Sequence, residues 1–455
     1  MCVCTRSQGQ AARAPVDPGV RGGAPGAGTA LEGLTADETA LFQNGLAKFL
    51  DIDSVTGGQN NGLGPRFNSN QCLSCHSQPS VGGTSPATNP LIMIATLDGA
   101  RNVVPWFITQ NGPIREARFK RNPNGTNDGG VHNLFVITGR KDAAGCNIAQ
   151  PSFRPAGDPL TGKGGNPNIV FRIPTPVFGA GLIEAIPDSA ILANMRAEAH
   201  LKKPLGISGH PNAHLSGNTN RSANDGTITR FGWKAQNKSL LLFAGEAYNV
   251  EMGVTNQLFP QERDETPGCV FNATPEDTLD FAPTSKTTPN PNTAVISDIE
   301  AFADFMRMLA PPTPAPDTPS TVSGRAIFIK LGCALCHTPS LTTGKAIASG
   351  SSTSPSGALS NRPVNLFSDL LVHHMGTGLA DGITQGGAGP DEFRTAPLWG
   401  VGQRIFFLHD GRTTNLIDAI RAHRSRGSEA SKIVERFNRL SAKHQQDLIN
   451  FLRSL

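Results

Sequence analysis

Cys72-Leu73-Ser74-Cys75-His76 and Cys333-Ala334-Leu335-Cys336-His337 carry one pattern, C-x-x-C-H, twice in a chain of 455 residues. The spacing is that of covalent c-type haem attachment: two thiols form thioethers to the porphyrin vinyl groups, and the adjacent histidine binds iron from one face. One copy would be ambiguous with a thiol redox pair. Two copies, each with its own histidine, point to two covalently bound haems c, with Cys72, Cys75, Cys333 and Cys336 as attachment residues and His76 and His337 as iron ligands. Zinc would need the four thiols at one site, yet the units lie about 260 residues apart, each with a histidine that such a site does not require.

Working outward, each motif follows a helix-patterned segment. Thr35 to Asp51 opens on a capping residue and carries apolar positions at helical spacing, and Val322 to Leu331 does the same before the second motif. Downstream, Phe171-Arg172 leads to Phe178-Gly179-Ala180-Gly181, and Phe393-Arg394 leads to Trp399-Gly400-Val401-Gly402. Both halves close on Asp-aliphatic-x-x-Phe, at Asp298 to Phe302 and at Asp447 to Phe451. Ordered repetition of this kind predicts an internal duplication. The fold class expected is mainly α: two cytochrome-c-like helical haem domains, the first with long loop and β insertions. The expected boundaries are a disordered N-terminal segment at 1–30, a first domain at 31–312 and a second at 319–455, joined at the proline-rich Pro311 to Pro316. Short strands are expected around Leu91–Leu97, Val131–Thr138 and Asn168–Ile173, and a flexible loop from Thr342 to Ser360.

Composition narrows the function classes. Gly and Pro together make nearly a fifth of the chain, so much of it must run as turns and loops. No apolar run approaches the roughly 18 residues that would span a bilayer. A net charge of +4 is too weak for a nucleic-acid footprint, and one Tyr and three Trp leave little to stack on bases. The local excess of Lys and Arg in residues 401–455 would suit an acidic partner. Covalent haem attachment takes place outside the bacterial cytoplasm, so a periplasmic location is expected, although Met1 to Arg6 is followed by no apolar targeting core. Cys146 and Cys269 either pair in that oxidising compartment or stay as separate buried thiols.

Several further stretches are similar to a known family. They are Gly62 to Asn68, Gly129-Gly130-Val131-His132, Arg230 to Ala235, Ser368 to Gly376, Asp391 to Gly400 and Phe407 to Arg412. In these the chain resembles the bacterial dihaem cytochrome c peroxidases and, more closely, the dihaem "thiol oxidoreductase" branch that neighbours the methylamine-utilisation dihaem enzyme. The family's His-Asp-Met stands here as His373-His374-Met375. The resemblance implies one electron-transfer haem and one that takes hydrogen peroxide or a related oxidant, with a small donor protein, a cytochrome c or cupredoxin, supplying electrons. Ca2+ is compatible with it but no residue pattern specifies that ion.

The same resemblance supplies the remaining candidates. His423, fourteen residues after His409 on an expected helix Asn415–His423, is the first choice for sixth ligand of the second haem, and Met375 the alternative. Trp233 stands where relatives keep a tryptophan between haems. Asn249-Val250-Glu251-Met252 resembles the segment that delivers an acid–base glutamate, although Val250 breaks the match and no Gln lies about ten residues upstream. Splitting a peroxide heterolytically needs a group that takes a proton from one oxygen and returns it to the other, and a carboxyl in a partly dry pocket can do both. Glu251 and Trp233 are therefore the catalytic candidates. His132 is a secondary candidate at the first haem, and His409, held by Asp410, a candidate for orienting the second. The function expected is a dihaem c peroxidase-type oxidoreductase, against a pure dihaem electron carrier or an enzyme that oxidises a protein partner.

Overall fold

Thr35 caps the first helix as expected, accepting from the Glu38 amide at 3.2 Å while its own amide donates to Glu38 Oε2 at 2.8 Å. The computed structural model describes residues 14–122, 124–153, 169–213, 228–278, 296–348 and 354–455. Its helices are α1 (Ala36–Leu50), α2 (Cys72–Cys75), α3 (Leu91–Ile94), α4 (Ala180–Glu184), α5 (Asp188–Arg196), α6 (Ala199–Leu205), α7 (Leu240–Met252), α8 (Asp298–Met308), α9 (Pro319–Leu331), α10 (Leu416–Ala422), α11 (Ser431–Asn438) and α12 (Ala442–Ser454). The strands are short: β1 (Arg66–Phe67), β2 (Glu116–Arg121), β3 (Asn127–His132), β4 (Phe135–Val136), β5 (Ile169–Arg172), β6 (Leu341–Thr342), β7 (Pro363–Val364), β8 (Val372–His374) and β9 (Glu392–Arg394). The largest sheet has three antiparallel strands in the order β3-β2-β5, and the others are two-stranded ribbons. Among the described residues no helix is long and apolar enough to cross a membrane.

Two helix pairs organise the chain, α1 against α8 and α9 against α12, and they cross in the same way. A Cβ on Gly45 would lie 2.2 Å from the Ala301 carbonyl oxygen and 2.8 Å from Phe305 Cβ; on Gly324 it would lie 2.0 Å from the Asp447 carbonyl oxygen and 2.7 Å from Phe451 Cβ. Only glycine lets the backbones come this close. One turn on, Phe49 packs on Phe305 (4.8 Å) beside His76, and Phe328 packs on Phe451 (5.5 Å) beside His337. Farther along, the Gly179 amide donates to Leu309 O and the Gly400 amide to Leu455 O. These contacts correct the register read from sequence: Phe451 corresponds in space to Phe305, one helical turn past Phe302, because the crossing is fixed by the glycine rather than by the Asp-aliphatic-x-x-Phe pattern.

Other expectations change for local reasons. The Leu91–Leu97 stretch is α3 followed by a 3-10 turn, not a strand, because Leu91, Ile94 and Ala95 are buried while Met93 faces out, which is helical periodicity. The Val131–Thr138 stretch is split into β3 and β4, since Asn133 turns its amide to the Val250 carbonyl. β5 lies where expected. Residues 14–30 of the segment expected to be disordered form an extended strap, because Asp17 pairs with Arg453 (2.7 Å) and accepts the Leu416 amide (2.6 Å); residues 1–13, including Cys2 and Cys4, lie outside the described residues. The strap also pins the proline-rich connection, with Thr313 N donating to Gly26 O. Within the Thr342–Ser360 loop, 349–353 fall outside the described residues and the flanks are tied by Ser356 N to Ala346 O. The hydrophobic cores interleave across the expected boundary: Leu341, Leu359, Leu366 and Trp399 pack with the first, Leu205 and Ile207 with the second.

Candidate functional site

Each C-x-x-C-H turn opens the wall of a large cavity. The first, about 1380 Å³ including its mouth, takes Cys72, Cys75 and His76; the second, about 1640 Å³, takes Cys333, Cys336 and His337. The four thiols therefore cannot serve one zinc ion. His76 Nδ1 donates to the Gly83 carbonyl and His337 Nδ1 to the Phe367 carbonyl, each at 3.0 Å, which fixes the tautomer and leaves Nε2 as the ligating nitrogen. Phe367 holds that carbonyl in place from a left-handed backbone (φ 54°), a conformation kept only where the surroundings impose it. Burial lowers the pKa of His76, and burial together with facing His423 lowers that of His337 to about 4, so both rings are neutral, the form that binds a metal. Burial also pushes the Cys72 and Cys75 thiols up. Cysteine pairs outside any disulfide, a neutral imidazole with Nδ1 committed to a backbone carbonyl, and a large, mainly apolar cavity fit a tethered haem at both places.

The first cavity also receives Glu251. Helix α7 runs past Ala247 to Met252, is capped by Ser239 at its start and ends on left-handed Gly253, so Glu251 occupies its last turn and not a surface turn. Asn68 Nδ2 donates to Glu251 Oε2 at 2.6 Å. Burial first and the neighbouring Glu116 second push the Glu251 carboxyl up to about 8, with Asn68 and Arg263 opposing. Glu116 is itself raised by burial. Sequence reading missed Glu116, Arg172, Gln236 and Gln385, which line this cavity from β2, β5 and two loops; only the fold brings them together, and no local pattern marks them. Arg172 is held by Asp381 at 2.8 Å and Gln385 at 2.6 Å.

In the second cavity His423 and Met375 both reach the wall. His423 closes α10, where Nδ1 donates to the Ala419 carbonyl at 2.7 Å, leaving Nε2 for the cavity. His409 lines the same space, stacked on Phe393 at 4.3 Å, but Asp410 does not hold it: that carboxylate is taken by Arg412 at 2.7 Å. His132 does not line the first cavity; its Nε2 meets the Gly129 carbonyl at 2.9 Å and its ring packs on Phe119 at 4.1 Å.

Trp233 lines both cavities. Its indole N–H donates to Ile173 O at 2.9 Å, and the Ile173 amide donates to His409 O at 2.8 Å, so a single backbone step joins the walls. Lys234 beside it is fully buried, bonded to the Gly389 and Glu392 carbonyls at 2.8 Å and to Asp381 at 3.2 Å, with its ammonium 4.2 Å from the Phe393 ring centre. Away from the cavities, Cys146 and Cys269 form a disulfide.

Residues 166–455 match the family model described as "Di-haem oxidoreductase, putative peroxidase". No curated protein matches the chain. Solved structures with partial similarity include a hydrazine synthase of Kuenenia stuttgartiensis (21% identity over 36% of this chain and 58% of that one, TM-score 0.22). A MauG-like protein associated with microbial copper homeostasis is 20% identical over 35% of this chain and 52% of that one, with a TM-score of 0.23. The diheme peroxidase BthA of Burkholderia thailandensis is 17% identical over 62% of this chain and 86% of that one, with a TM-score of 0.29. The chain spans little more than half the length of the first two.

Proposed function

Since the chain belongs to the di-haem oxidoreductase family, we propose that it is an exported, two-unit dihaem c enzyme that reduces hydrogen peroxide or a related oxidant in the cavity of His76 and draws its electrons through the cavity of His337. The observation that carries this reading is the seat of Trp233 in the walls of both cavities, with a high-pKa carboxyl, Glu251, in the first alone. The matching crossings of α1 on α8 and α9 on α12 support two equivalent units, and the Cys146–Cys269 disulfide supports a periplasmic location.

When bound, a haem would supply a redox-active iron whose potential the residues that hold it would tune. His76 and His337 present Nε2 because Nδ1 is committed to a backbone carbonyl. Glu251 takes a proton from one end of the oxidant and returns it to the other, and Asn68 orients its carboxyl by donating to Oε2. Gln236 and Gln385 offer amide donors, and Arg172 positive charge, to an oxyanion in the same space. His423, with Met375 as the alternative, would be a further protein ligand for a haem in the second cavity and would make that unit a carrier rather than a second reactive site. Trp233, fixed by Ile173, bridges the two for electrons, and the basic C-terminal region receives a small acidic cytochrome c or cupredoxin.

Optical and EPR spectra of oxidised and half-reduced protein test this reading. One high-spin haem that binds cyanide or consumes peroxide is expected. Two low-spin haems inert to both in each state would replace the enzyme by an electron carrier.

A further inference from the structure

Arg394, the last residue of β9, and Arg404, just past the 3-10 turn Val401–Gln403, line the second cavity side by side. Both also line a smaller space of about 520 Å³ that Trp233 shares with them and whose wall takes Thr175, Val177 and Gly232 from the first cavity. Neither makes an ion pair among the described residues. Arg394 Nε donates to Gly232 O at 3.1 Å, but its Nη1 is buried with no partner. Arg404 has one described side-chain bond, Nη2 to Pro397 O at 3.2 Å. Burial lowers the pKa of both to about 10, and for Arg394 the adjacent Arg404 adds to it. Two neighbouring, part-buried guanidinium groups with no counter-anion among the described residues are unfavourable, and the planar fork of each is shaped for a carboxylate or phosphate.

The cavity that holds these forks also holds Cys333, Cys336 and His337. A haem tethered there brings two carboxylates of its own, its propionates, one for each arginine. We propose that Arg394 and Arg404 clamp the propionates of the haem attached at Cys333 and Cys336, on the edge that faces Trp233; the proposal rests on the haem attachment put forward above. Two cations at that edge keep the propionates ionised and favour the reduced haem, so the clamp raises the potential of this haem relative to the other. The charge also lies beside Trp233, at the edge where the two units meet.

The test is a spectroelectrochemical titration of the holoprotein and of Arg394→Gln, Arg404→Gln and Arg404→Lys at pH 6 and pH 8, the two waves being assigned with a Cys333→Ser/Cys336→Ser variant. Each Gln variant should lower the potential of the C-terminal haem, make it vary with pH and leave the N-terminal haem unmoved, while Arg404→Lys stays close to wild type. Redox-difference infrared spectra of wild type, which need no variant, should show no protonated propionate carbonyl band down to pH 6. Unmoved potentials at full haem content, equal shifts of both haems, or a protonated propionate band in wild type would overturn the clamp. A wild-type midpoint that moves with added phosphate at constant ionic strength would also overturn it, by showing that the pair binds a free anion. Two haems with unmoved potentials remove the clamp alone, whereas no haem at Cys333 and Cys336 removes the haem reading with it.

Discussion

Glu251→Gln isolates proton transfer in the first cavity. Glutamine matches glutamate in size and keeps an oxygen for the Asn68 amide, which donates at 2.6 Å in the wild type, so the cavity keeps its shape and loses only the titrating group. Positioned proton transfer contributes about 10²–10⁴-fold, or about 2.7–5.4 kcal/mol of barrier. Burial, then Glu116, raises the Glu251 carboxyl to about 8, so the base form grows in as pH rises and peroxide turnover should climb with a slope near one until about pH 8. The variant should lose both the rate and that limb. Its stability should move the other way: a carboxyl raised in the folded state favours folding while protonated and loses that advantage as pH climbs from the ordinary glutamate value of 4.5 through about 8, so Glu251→Gln should be at least as stable as wild type at pH 8. Steady-state peroxide consumption from pH 6 to 9, normalised to haem content and run beside thermal melts, measures all three. Wild-type turnover, or a surviving pH limb, would refute the role of Glu251.

His423→Ala should turn the C-terminal haem from low to high spin at constant haem content; if Met375 is the ligand, that change belongs to Met375→Ala, and a spin state unchanged in both variants removes both. Gly324→Ala places a Cβ 2.0 Å from the Asp447 carbonyl oxygen; overpacking of about 1–3 kcal/mol outweighs the roughly 1 kcal/mol gained in helix propensity, and unchanged denaturant midpoints in Gly324→Ala and Gly45→Ala would contradict the tight crossing. Trp233→Phe should slow electron transfer between the haems in flash or stopped-flow reduction while leaving both spectra intact, and an unaltered rate would leave Trp233 a packing residue.

The C-x-x-C-H turns, the helices before them and the candidates Trp233, Glu251, His423 and Met375 are readable because each depends on short-range spacing: C-x-x-C-H, capping at Thr35, and a tryptophan, glutamate, histidine or methionine inside a recognisable segment. What sequence concealed depends on tertiary contact. Nothing local says that Gly45 and Gly324 set the helix crossings, so the Asp-aliphatic-x-x-Phe pattern alone aligns the repeat one turn off, at Phe302. The partners of Glu251 come from β2 and from the distant segments that carry Asn68 and Arg263, and Glu116 gains its influence only when buried near it. Asp17 looked like part of a disordered tail because its partner, Arg453, lies at the other end of the chain. His409 seemed to own Asp410, yet Arg412, two residues on, offers that carboxylate a full charge and takes it.

Covalent attachment at both C-x-x-C-H turns is read out by the intact mass of holoprotein produced in a host with a c-type haem attachment system, after acid–acetone extraction. Two covalent haems are predicted, adding about two haem masses to the polypeptide, with each C-x-x-C-H peptide carrying one. A single covalent haem, or haem that is wholly extracted, would contradict it.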